Sequence, residues 1–256
     1  LFRRQATTLL PVLSLDSHML TIVGTGHVFR IAEPVEFIVR HTWPQAVCVE
    51  LDPVRLAAIT GNTAGLRRLR DDEVPEVYRA SAKYQEKVSA QNDSTAGAEL
   101  AAAVAEGKRI GAEIVCIDRD ARQVMAEMWD EMSRGEKLRY RWSAFTDGVL
   151  GMKKVDQTQQ EFAANEDEYI AKMRKKYPTL VRKLIDERNT YMVERIKKTC
   201  DRYPDVVAVV GDAHVEGLCR LLPEREIRQI RLAELLDPEK LAKVRAMVWD
   251  NKEREE

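Results

Sequence analysis

A chain of 256 residues can bury one sizeable apolar core, and its 41 Lys and Arg set against 42 Asp and Glu leave a net charge of −1. That balance gives no cause to expect nucleic acid or an anionic membrane as partner. No run reaches the ~18 apolar residues of a membrane span and no signal peptide opens the chain, so a soluble, cytoplasmic domain is expected. Beginning at Leu1, the sequence fits a portion of a longer chain.

Taken in order, the first strand is expected over 20–26, where Thr21-Ile22-Val23 runs into Gly24-Thr25-Gly26-His27. A helix at 31–42 follows, then a strand at 46–52 and Pro53 at a first helical position. A helical elaboration is expected over 61–95, with Asn92-Asp93-Ser94-Thr95 as a loop and helix start, and an Ala-rich helix over 96–107. The third strand, 114–117, leads into Asp118-Arg119-Asp120 and a helix at 119–132. A second helical elaboration covers 133–200. Its charged stretch, 158–200, is divided into two helices at Tyr177-Pro178. Val206-Val207-Ala208-Val209-Val210 forms the fourth strand and ends in Gly211-Asp212-Ala213-His214. An alternating run at 227–232 reads as an edge strand, and the last helix covers 237–250. Strand–helix alternation predicts an α/β domain spanning 1–256, with a mainly parallel or mixed sheet flanked by helices; an α+β arrangement is the alternative. The cysteines, Cys48, Cys116, Cys200 and Cys219, contain no C-x-x-C pair and read as small hydrophobes of a reducing compartment.

The chemistry concentrates at the strand ends. Two of the four histidines, His27 and His214, each close a G-x-x-H that follows an apolar run. In a parallel sheet the carboxyl ends of the strands share one edge, where ligands bind. Glu50, Asp52 and Asp118 end the other two central runs. Glu50 and Asp52 have the same strand parity, opposite to Val47, Val49 and Leu51. A buried Glu50 needs a nearby cation to stay ionised, and a structural ion pair with Arg55 or Arg188 is the plain alternative to a functional role. Two His and one Glu form a recurring set for a catalytic divalent metal with an open position for water. H-E-x-x-H is absent, so such a site must be assembled from distant strands. Arg188, Tyr191 and Arg195 recur on one helical face beside the second G-x-x-H strand.

Five segments together resemble the TraB/PrgY family, within the group that includes the Tiki proteases and the ChaN-like and erythromycin-esterase-like proteins. They are Val23-Gly24-Thr25-Gly26-His27-Val28, Val49-Glu50-Leu51-Asp52-Pro53-Val54-Arg55, Ile117-Asp118-Arg119-Asp120, Asp186-Glu187-Arg188-Asn189-Thr190-Tyr191-Met192 and Val209-Val210-Gly211-Asp212-Ala213-His214-Val215-Glu216-Gly217. The chain departs from the family at Gly26 (usually Ala), Asp212 (often small), Asn189 (often Asp) and Asp120 (often Pro). The resemblance implies a Tiki-like, metal-dependent hydrolase of peptides. His27, Glu50 and His214 would bind manganese, cobalt or zinc, and Arg188 would stabilise developing negative charge. Arg55, Asp118, Arg119 and Tyr191 complete the candidate site as substrate-binding residues. The alternatives are a non-catalytic regulator that sequesters peptides, as in pheromone shutdown, and a tetrapyrrole-binding protein. A homodimer is a further expectation, as is membrane anchoring of longer relatives.

Overall fold

Runs rich in Val and Ile, whose branched side chains suit a strand buried on both faces, form β1 (Leu20–Thr25), β2 (Ala46–Val49), β3 (Glu113–Cys116), β4 (Val206–Gly211) and β5 (Ile227–Ile230). The computed structural model describes residues 19–26, 29–61, 95, 97–140 and 166–252. His27, nearly all of the 61–95 elaboration and the 141–165 part of the second therefore lie outside the described residues. The strands form one sheet in the order β3-β2-β4-β1-β5, and every pairing is parallel. Thr25 lies opposite Gly211, so β1 and β4 end level, while Val49 lies opposite Val209 and Cys116, so β2 and β3 stop two residues short of them.

Among the described residues, helices flank this sheet: α1 (Ala32–Thr42), α2 (Pro53–Ile59), α3 (Ala98–Arg109), α4 (Ala121–Glu131), α5 (Glu166–Lys176), α6 (Pro178–Val181), α7 (Glu187–Cys200), α8 (Asp212–Leu221), α9 (Leu232–Leu236) and α10 (Pro238–Lys252). Alternate strand residues feed two cores. Val23, Val47, Val49, Val207 and Val209 pack with residues of α1, α3, α9 and α10, while Ile22, Cys48, Ala208 and Val210 pack with Met192 and Ile196 of α7 and Leu218 of α8. The fold is therefore α/β with a parallel sheet covered on both faces. Burial pushes the Cys48 thiol up to about 12, as befits a small core hydrophobe. No helix among the described residues is long and apolar enough to cross a membrane.

Three local expectations change. The second strand stops at Val49, so Glu50 and Asp52 do not share a strand face. Asp52 instead turns its carboxylate onto Val54 N–H at 2.8 Å and Arg55 N–H at 3.0 Å, capping α2. The edge strand stops at Ile230 because Leu232 already starts α9. The helix after Tyr177 is not uniform: a π-helical turn, Arg182–Asp186, separates α6 from α7. Lys183 in this turn is buried against Glu131 at 2.6 Å and Glu187 at 2.9 Å.

Helices α1 and α3 are tied by Glu106, which accepts Arg40 Nε at 2.8 Å and Arg109 Nη2 at 2.6 Å. The hydrogen bond from Arg109, joined by Arg40, outweighs burial and holds the Glu106 carboxyl at about 2, below its ordinary 4.5. A depressed carboxyl stabilises the fold fully above the unfolded value and loses that contribution as pH falls towards the folded one. Urea midpoints of the native protein should thus drop between about pH 4.5 and 2. Glu106→Gln should flatten that drop; an unchanged slope would show that the pair contributes nothing.

Candidate active site at the carboxyl edge of the sheet

Three chain segments deliver ionisable side chains to the carboxyl ends of β2, β3 and β4. Glu50 follows β2 directly, Asp118 stands two residues beyond β3, and His214 sits in the first turn of α8. All three are buried, Glu50 at 4% exposure and His214 at 2%. Arg188, near the start of α7, joins the two carboxylates. Its Nε donates to Asp118 Oδ1 at 2.9 Å, its Nη2 to Asp118 Oδ2 at 2.7 Å and to Glu50 Oε1, and its Nη1 to the Leu184 carbonyl at 3.0 Å. Leu184 belongs to the π-helical turn, so that irregularity supplies an acceptor to the guanidinium. Burial alone would lower the Arg188 pKa, but the neighbouring Glu50 and Asp118 carboxylates outweigh it and hold the group above its ordinary value.

The second oxygen of Glu50 accepts Gly211 N–H at 2.5 Å, at the junction of β4 and α8. Oε1 also lies 3.5 Å from His214 Nε2. The other ring nitrogen, Nδ1, meets Asn189 Oδ1 at 2.6 Å. The imidazole is therefore held on one side by an amide and presented on the other to a carboxylate. Such a couple can bind a cation or exchange a proton. One imidazole nitrogen and one carboxylate oxygen are donors suited to zinc, manganese or cobalt. Among the described residues no three His, Cys, Asp or Glu side chains gather to hold a metal, and His27 lies outside those residues.

The remaining candidates are distributed around this centre. The half-buried Arg55 donates from Nη1 to the Glu50 carbonyl at 3.3 Å and stands 3.7 Å from Asp118 Oδ2. Arg119 turns away and pairs with Glu127 at 2.8 Å. Tyr191 is half-buried, and its ring lies 5.9 Å below the Arg195 guanidinium. Arg195 donates to the Cys116 carbonyl at 2.7 Å, bracing the end of β3. The structure thus gathers Glu50, Asp118, Arg188, His214 and Arg55, and sets Arg119 and Tyr191 to other contacts. Asp212, next to His214, accepts Arg231 through Nε at 3.1 Å and Nη2 at 3.0 Å, and Leu232 N–H at 2.8 Å. Sequence reasoning gave Asn189 no role. The signal was present, because Asn189 heads the buried stripe that continues through Met192, Val193 and Ile196. A cleft of about 230 Å³ lies between α5 and α8, bordered by Arg174, Asp186, Asn189, Ala213, Gly217 and Arg231; Glu50, Asp118, Arg188 and His214 do not line it.

Compared with known proteins, residues 11–231 match the TraB/PrgY/gumN family. An uncharacterized protein of Methanocaldococcus jannaschii is 28% identical over 230 residues, covering 87% of this chain and 58% of that protein. The chain spans little more than half the length of that relative.

Removing the guanidinium leaves two buried carboxylates facing each other. Arg188→Met should cost about 3–5 kcal/mol of stability in urea unfolding. The loss should shrink when Glu50→Gln and Asp118→Asn are combined with it. An equal loss in the triple variant would mean that packing of the long side chain, not charge pairing, carries the effect.

Proposed function

The chain belongs to the TraB/PrgY/gumN family, and from that premise we propose that it is a metal-dependent hydrolase acting on peptides at the carboxyl edge of its sheet. The observation that carries this reading is the buried imidazole of His214, whose Nε2 stands 3.5 Å from Glu50 Oε1 in a site assembled from four distant segments. Buried ionisable groups gathered where parallel strands end are a common setting for a reactive centre.

In this proposal His27, Glu50 and His214 hold a divalent ion. When bound, that ion polarises the scissile carbonyl and lowers the pKa of its water. The protein's own residues prepare the site. Gly211 N–H and Arg188 hold the Glu50 carboxylate in place through one oxygen each. The four hydrogen bonds of Arg188 go to Asp118, Glu50 and Leu184, which suits it to holding the carboxylates rather than to meeting an oxyanion directly. Arg55, with a side chain 30% exposed, is the guanidinium placed to meet a substrate carboxylate or carbonyl. Residues around the cleft beside Asn189 and Ala213 give a peptide side chain a place to rest.

One observation favours a second reading. Both Glu50 oxygens already accept internal hydrogen bonds, which suits a rigid peptide-sequestering module as well.

A peptide library incubated with the protein and Mn²⁺, Co²⁺ or Zn²⁺, read by mass spectrometry, separates the two. Hydrolysis should appear, and His27→Ala, Glu50→Ala and His214→Ala should each lower kcat/KM by at least about 10²-fold while circular dichroism is retained. Peptide binding with no cleavage under any metal would replace the hydrolase with the sequestering module. Neither binding nor cleavage would contradict both.

A further inference from the structure

We infer that Asn189 is the positioning residue of the His214 ring: it fixes the proton on Nδ1 and leaves Nε2 as the lone-pair nitrogen turned toward Glu50. The argument begins with the donor inventory. An amide oxygen only accepts, so the 2.6 Å contact between Asn189 Oδ1 and His214 Nδ1 requires a hydrogen on Nδ1. In the neutral ring the other nitrogen is then bare. It faces Glu50 Oε1 at 3.5 Å, too long for a good hydrogen bond of its own. Two electron-rich atoms converge there, an arrangement that suits capture of a cation. Ligating imidazoles commonly donate their second N–H to a buried partner in this way.

The placement of Asn189 is built into two helices. It follows Arg188 directly on α7, is 4% exposed, and sits where α8 comes closest. That approach depends on Gly217: a Cβ there would lie 2.1 Å from Asn189 Nδ2 and 3.1 Å from its Cγ. Gly217 therefore makes room for the amide, and the amide sets the ring. One helical dipeptide serves both halves of the centre, Arg188 for the carboxylates and Asn189 for the imidazole.

The catalytic meaning of this role rests on the hydrolase reading, whereas the position of the proton does not. The two are separated by measuring the proton directly. Long-range ¹H–¹⁵N correlation spectra of the ¹⁵N-labelled protein at pH 8 report which histidine nitrogen is protonated, and His214→Ala assigns the signal. The native protein should show His214 with Nδ1 protonated and Nε2 bare. Asn189→Ala should move the ring towards the Nε2–H form that free imidazole prefers, and Asn189→Asp, which keeps an acceptor oxygen, should restore Nδ1–H. Gly217→Ala should act in the same direction as Asn189→Ala, because the added methyl displaces the amide. An Nε2–H or doubly protonated ring in the native protein would overturn the inference, as would a native-like ring in folded Asn189→Ala. Absence of peptide hydrolysis alongside an Nδ1–H ring would remove the hydrolase reading and leave this one standing.

Discussion

The guanidinium of Arg188 is the interaction on which the carboxyl edge depends. It spans Glu50 at the end of β2 and Asp118 beyond β3, and its own helix packs across the same face of the sheet. Without a cation, two carboxylates would stand buried and facing each other with no counter-charge. With it, the ends of β2 and β3 and the start of α7 are fixed to one another. The π-helical turn before α7 belongs to the same device, since its Leu184 carbonyl accepts from Arg188 Nη1.

Close approach of backbones completes the site. A Cβ on Gly24 would lie 1.9 Å from Asp212 Oδ1, so the glycine of the first G-x-x-H gives the second motif its space. Asp212 uses that space to reach Arg231 and Leu232, which locks the start of α8 to the β5–α9 corner. His214, two residues on, inherits a fixed position. The Asp at 212, where a small residue is common in the family, thus has structural partners of its own.

Much of this was legible in the chain. Apolar runs ending in polar groups announced parallel strands with chemistry at one edge, and the order of motifs brought Glu50, Asp118, Arg188 and His214 to that edge. The ion pair between Glu50 and Arg188 was foreseen as an alternative to function, and it is present. What escaped was local. Whether Asp52 continues a strand or caps a helix turns on one hydrogen-bond choice, made by Pro53 and the N–H groups after it. The π-helical turn leaves no mark in hydrophobic spacing. Asn189 was visible only as a polar residue on an apolar stripe, which does not name its partner. His27 remains an expectation from the sequence.

The central claim is that His214 and Glu50 form a reactive couple rather than a structural contact. Anomalous diffraction from crystals grown with saturating Zn²⁺ tests it most directly. The account predicts a zinc peak about 2.0–2.1 Å from His214 Nε2, with Glu50 and His27 completing the shell. A map with no zinc at His214, and Glu50 still shared between Arg188 and Gly211, would contradict it.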